Sequence, residues 1–150
     1  MRDGLDAAAI PSPDAVGTGG DGAVVWHRDG LRTADHPAVA AAAEHDAVLP
    51  LCVFDPGFYG ADGLACDARV RFLHESLADL DDRYHTASGG TAGLSYVHGD
   101  PVAVVRALDA AGWTGIAARP PTGRHGRARD RRAARGGRAV WLGGGVLWGA

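Results

Sequence analysis

Thirteen residues, Trp26 to Ala38 (WHRDGLRTADHPA), gather an indole, two imidazoles, two guanidiniums and two carboxylates into one short stretch. At the carboxyl end of a strand such groups can line a pocket for a planar or phosphorylated ligand, with Arg28 and Arg32 supplying flat, two-pronged recognition of an anion. The same residues also fit a plainer reading, in which Arg28, Arg32 and Asp35 form surface ion pairs that only position the loop. Chemistry alone leaves both open.

Other motifs carry less. Gly17-Thr18-Gly19-Gly20-Asp21-Gly22 spells GxGxxG, but a dinucleotide site needs those glycines between a strand and the helix that receives the pyrophosphate, and here they precede the first apolar run. His98-Gly99-Asp100 pairs an imidazole with a carboxylate, yet a strand end and a helix cap account for both. None of Ser12, Ser76, Ser88 and Ser95 lies in a GxSxG elbow, so no nucleophilic hydrolase and no catalytic residue is indicated. Cys52 and Cys66 form neither a CxxC pair nor a zinc spacing, which leaves two free thiols and no metal site.

The elements that must position these groups follow from apolar spacing. Ala23–Trp26 is a strand-type run, and His36-Pro37 opens a helix reaching about Glu44, proline suiting a first turn. Val48–Phe54 is a buried strand that exits at Asp55-Pro56-Gly57. From Asp67 to Tyr84 the residues Val70, Leu73, Leu77, Leu80 and Tyr84 recur at intervals of three and four, the mark of an amphipathic helix. Leu94–His98 is a third strand. Asp100 caps a helix with Pro101 in its first position and Gly112 as its stop, and Trp113–Ala118 is a fourth strand. Strands alternating with helices imply parallel crossovers, hence an α/β domain with a doubly wound (Rossmann-like) parallel sheet and helices on both faces. Ligands of such sheets bind beyond the carboxyl ends of strands where the order reverses, which singles out the loops Trp26–Arg32, Asp55–Gly63, His98–Asp100 and Arg119–Arg129.

Length and charge set bounds. The 150 residues suffice for one domain, and no apolar run of membrane-spanning length occurs. Residues 1–22 lack the basic start and apolar core of a secretory signal and read as a disordered acidic tail, so a cytoplasmic protein is expected. The net charge of −3 hides a division: residues 1–118 hold 17 acids against 7 arginines, whereas residues 119–150 hold 8 arginines against Asp130. No lysine is present.

The segment Trp26-His27-Arg28-Asp29-Gly30-Leu31-Arg32, followed by Asp35 and by Pro37-Ala38, resembles the opening motif of the DNA photolyase/cryptochrome family, a strand ending in W-[HF]-R-R-D-L-R and then N-P-A-L. Asp29-Gly30 stand where the family more often has Arg-Asp. The likeness continues in order through Val53-Phe54-Asp55-Pro56, then Ala68-Arg69-Val70-Arg71-Phe72-Leu73 with Ser76, Leu77 and Leu80. Val97-His98-Gly99-Asp100-Pro101 and Gly126-Arg127-Ala128-Arg129-Asp130 complete it. Gly123-Arg124-His125 depart from the acidic or aromatic residue often found before that last step.

The resemblance implies that residues 23–130 form the N-terminal α/β domain of that family. That domain holds an antenna pigment, which is a deazaflavin, a reduced folate or a flavin. His27, Arg28, Arg32, Asp55 and Arg69 are the cofactor-binding candidates by matching position. In the family a larger helical domain downstream binds FAD and damaged DNA, and light-excited reduced FAD splits pyrimidine dimers. This chain is expected to be an antenna fragment without that domain, meeting DNA only through it, with no membrane partner and no dimer-splitting activity of its own. Residues 131–150, rich in Arg, Gly and Trp, fit a reading-frame shift that replaces the true fifth strand, truncating the sheet after its fourth or fifth strand and leaving an exposed apolar run; a basic nucleic-acid-binding tail is the lesser reading. The alternative for the whole chain is a stand-alone α/β nucleotide or small-molecule binding module that acts through a partner.

Overall fold

The computed structural model describes residues 21–28, 30–56, 66–117, 139–142 and 145–148. Strands β1 (Gly22–His27), β2 (Ala47–Phe54), β3 (Ser95–His98) and β4 (Thr114–Ala117) alternate with helices α1 (Pro37–Ala42), α2 (Asp67–Ala87) and α3 (Pro101–Ala110). Two further strands follow, β5 (Ala139–Leu142) and β6 (Gly145–Trp148). The single sheet runs β3-β2-β1-β4-β6-β5. β1 pairs in parallel with β2 on one side and β4 on the other, and β2 pairs in parallel with β3.

Strand alternation sorts the core into two faces. On one, Val24 and Trp26 of β1, Leu49 and Leu51 of β2 and Val97 of β3 pack under Val104, Val105 and Leu108 of α3, with Trp113 1% exposed. On the other, Ala23 and Val25 meet Ala38 and Ala42 of α1, while Cys52 and Phe54 meet Leu77, Leu80 and Tyr84 of α2. Burying one such Leu side chain stabilises the fold by about 1.5–3 kcal/mol, so α2 is fastened chiefly by its Leu77 and Leu80 stripe. Helices thus cover both faces, as a doubly wound sheet requires.

Helix ends are built from the expected residues. Asp100 caps α3 by accepting from the Val102 amide at 3.4 Å, and Pro101 occupies the first turn. Gly112, at φ 89°, closes α3: its amide bonds the Asp109 carbonyl and that of Trp113 bonds Leu108, a pair of contacts that turns the chain into β4. α2 leaves through Ser88 and two left-handed glycines, Gly89 and Gly90. The Asp81 carboxylate then accepts from the Leu94 amide at 2.6 Å and ties α2 to the entrance of β3.

One expectation changes. Parallel pairing does end at β4, but the apolar run expected to lie outside the sheet supplies β5 and β6, and β6 pairs antiparallel with β4 and with β5. Val140, Trp141, Leu142, Val146, Leu147 and Trp148 favour extended backbone, and only two residues separate the strands, so an edge hairpin is the local solution for this composition. Of the tail expected over 1–22, residues 1–20 lie outside the described residues while Gly22 is the first residue of β1; Asp29, the loop residues 57–65, the Gly126–Asp130 step and the loop Arg119–Arg129 also lie outside them. Both cysteines are free thiols, Cys52 buried and Cys66 exposed. No described helix is long and apolar enough to cross a membrane.

Candidate functional site at the carboxyl ends of the parallel strands

The strand order reverses at β1, between β2 and β4, and the residues singled out above gather at its carboxyl end. They do not share one side of the sheet. His27 reaches Tyr84 on the α2 face, whereas Arg28, just past the strand end, lies beside Trp26, which belongs to the α3 face.

His27 is 1% exposed, and both its ring nitrogens are engaged within the protein. Nδ1 lies 3.1 Å from the Gly30 carbonyl oxygen, which can only accept, so Nδ1 carries the proton. Nε2 therefore accepts from the Tyr84 hydroxyl at 2.7 Å. Burial, opposed by the Gly30 bond and assisted by repulsion from His36, pushes His27 down to about 4 from the ordinary 6.5. Burial also pushes the Tyr84 phenol up, so it stays a neutral donor.

His36 is buried beside it, the two ring centres 5.2 Å apart. It precedes α1 and acts as its cap: Nδ1 accepts from the Val39 amide at 3.3 Å, a role that Ser, Asp or Asn usually fills. Its other nitrogen faces Gly30, where a Cβ would come within 3.3 Å of Nε2, a contact the ring would have to ease by a few tenths of an ångström. Burial and the neighbouring Arg32 charge hold His36 below its usual range. Arg32 is exposed and donates to the Asp35 carbonyl at 3.1 Å, bracing a turn in which Asp35 takes a left-handed φ of 51°.

Across the sheet, the Arg28 guanidinium carbon sits 5.2 Å from the centre of the Trp26 ring. A half-buried cation this close to an indole is attracted to the ring face, which places a positive charge beside the reversal point. Asp55 stands half-buried just after β2, and Arg69 is exposed on the first turn of α2. Three of the five candidates therefore cluster at one strand end, with His27 turned into the protein and Arg28 and Arg32 nearer solvent.

A second cluster is one that motif spacing does not single out. Phe54, the last residue of β2, stacks on His98 in register beside it (4.8 Å, 17°), on His74 of α2 (5.7 Å, 22°) and on Tyr96 (5.8 Å, 22°). Its signal in the sequence is the alternation Tyr96, His98 on β3 against Phe54 on β2, which places three rings on one face. His98 is thus occupied in stacking and Asp100 in capping, and neither is set up as an acid/base pair. Among the described residues no group of three or more His, Cys, Asp or Glu is placed to hold a metal ion.

Comparison with known proteins bears on this site directly. Residues 23–141 match the DNA photolyase family. Cryptochrome-1 of Drosophila melanogaster is 38% identical over 89 residues, covering 57% of this chain and 16% of that protein. The (6-4)DNA photolyase of Oryza sativa subsp. japonica is 41% identical over 90 residues, covering 53% of this chain and 16% of its own length. Among solved structures, an archaeal photolyase from Sulfolobus tokodaii superposes with a TM-score of 0.65 at 20% identity, covering 76% of this chain and 26% of the other. The chain thus spans about a sixth of the curated relatives it matches, and the opening strand and loop that carry His27, Arg28 and Arg32 fall within the range matched by the family. By that match over residues 23–141, the chain belongs to the DNA photolyase family, in the part corresponding to the family's N-terminal α/β domain.

Proposed function

We propose that this domain is a pigment-holding antenna unit: it binds a planar, anionic heterocycle (a deazaflavin, a reduced folate or a flavin) and passes absorbed light energy to a flavin held elsewhere. The observation that carries this reading is the Arg28 guanidinium over Trp26 at the point where the strand order reverses. A flat cation there offers stacking area and charge to a conjugated anion, and the Arg32 side chain stands in the loop that leaves the same strand. The solved archaeal relative is described as containing two FAD molecules with the implication of a novel light-harvesting cofactor. That description accords with a flavin-type ligand for a domain of this fold. The residues assigned here bind and orient; the dimer-splitting chemistry of the longer relatives is not assigned to them.

Titration of the purified chain with a deazaflavin, a reduced folate, FMN and FAD, followed by ligand fluorescence, tests the reading. One of the four is expected to bind, and Arg28→Ala to weaken it about tenfold, the size of a partly desolvated cation–ring contact. Absence of saturable binding by all four, or binding indifferent to Arg28→Ala, overturns it. Under light with added FAD, the 150-residue chain alone is expected to split no pyrimidine dimers, and turnover in that assay would contradict an antenna-only role.

A further inference from the structure

We propose that His27 and His36 form a proton-released latch that holds residues 30–36 over the carboxyl end of β1, closed while both rings are neutral and opened when either takes up a proton. The latch goes beyond pigment binding and does not rest on that reading.

In each ring the nitrogen that would receive a proton is already a hydrogen-bond acceptor. For His27 it is Nε2, which accepts from Tyr84, and for His36 it is Nδ1, which accepts from the Val39 amide. Protonation of His36 therefore removes the cap of α1 and sets a positive charge against the amide end of that helix, where cations are disfavoured. Protonation of His27 places a charge in a site 1% exposed, 5.2 Å from a second imidazole. The titratable and charged groups that the described residues bring to this pair are Tyr84 from α2, Cys52 in register on β2, and Arg32 from the loop. Asp35, next to His36 in the chain, is exposed, and the neighbouring charges of Arg32 and the partner imidazole oppose the proton.

The strand cannot yield to relieve it. β1 is bonded on both sides, to β2 and to β4, and His27 is its last residue. What covers the ring is the segment that supplies the Gly30 carbonyl and His36, held by the His27–Gly30 and Arg32–Asp35 bonds and by Leu31, which packs on the α2 cluster. Water reaches the charged imidazole when residues 30–36 lift. The opening constant then rises as pH falls below the ordinary 6.5 of a free imidazole, by up to about tenfold per pH unit for each proton taken up, until the closed-state value near 4 is passed for His27.

The test uses the full chain without pigment. Amide hydrogen exchange of residues 30–36, corrected for intrinsic rates, is compared at pH 7, 6 and 5 with that of the β2 amides, in wild type and in His36→Asn. Asparagine supplies a capping oxygen in place of Nδ1, without a titrating ring. Protection of 30–36 in wild type is expected to fall with pH while β2 stays protected, and His36→Asn to retain about tenfold more protection at pH 5. Equal loss in both proteins, or loss in 30–36 and β2 together, overturns the latch. Should the variant not fold, 15N titration of the wild-type imidazoles decides: His27 as the Nδ1–H tautomer and His36 as the Nε2–H tautomer, moving with the 30–36 amides, support the latch. Rings that titrate without those amides refute it. Because no ligand enters either measurement, the latch stands or falls independently of the antenna reading.

Discussion

Tyr84 is the side chain on which the geometry of His27 turns. Its hydroxyl is buried, donates to Nε2 at 2.7 Å and has burial against any ionised form. Replacing it with phenylalanine leaves Nε2 buried without a donor, so Tyr84→Phe is expected to cost about 1–3 kcal/mol at pH 7, measured by urea denaturation. An unchanged midpoint would mean that the bond is not made in solution. The folded protein also holds His27 in its neutral form, at about 4 against 6.5 once released. The unfolded chain therefore binds the extra proton, and the stability contributed by this site is complete above pH 6.5 and is lost as pH falls from 6.5 towards 4. The loss amounts to about 3 kcal/mol. Urea midpoints at pH 7 and pH 4.5 should differ in that direction, and less so in His27→Phe. His27 stands out in the sequence as a candidate by its place at a strand end, whereas its partner lies 57 positions away on α2, and nothing local to the strand announces which face an entirely buried β1 turns to that helix.

Elements were more legible than contacts because each rests on local spacing. The three helices and four parallel strands read from periodicity, from Pro37 and Pro101 and from the Asp100 cap all occur, with ends agreeing to within three residues. The hairpin β5–β6 escaped that reading, since its composition departs from the acidic background and its antiparallel pairing to β4 is a long-range choice. At this scale α2 is the vulnerable element: Leu80 is 0% exposed and sits between Leu77 and Tyr84 on the stripe that fastens the helix. Leu80→Ala is expected to cost about 2–5 kcal/mol and to lower the melting temperature, while exposed Phe72 on the same helix can be changed to Ser with little effect. Circular dichroism melts of the two variants separate these outcomes.

For the whole molecule, β6 and β5 cover the side of β4 that the parallel sheet leaves open. A chain ending after Ala118 would expose that edge, and an open edge of unpaired amides and carbonyls promotes association between copies. Light scattering of that shortened chain is expected to show concentration-dependent association that the 150-residue chain lacks; a monodisperse shortened chain would mean that the hairpin protects nothing. The sheet order also fixes a timetable. β1 meets β2 within 25 positions, Ala23 beside Val48, but its other neighbour arrives 91 positions later, when Thr114 comes beside Ala23. At synthesis rates of about 5–20 residues per second, the strand that bears His27 and Arg28 waits on the order of several seconds with one flank bare. The centre of the finished sheet is therefore an edge for most of the chain's birth, and the site at its tip takes shape only once the last parallel strand has emerged.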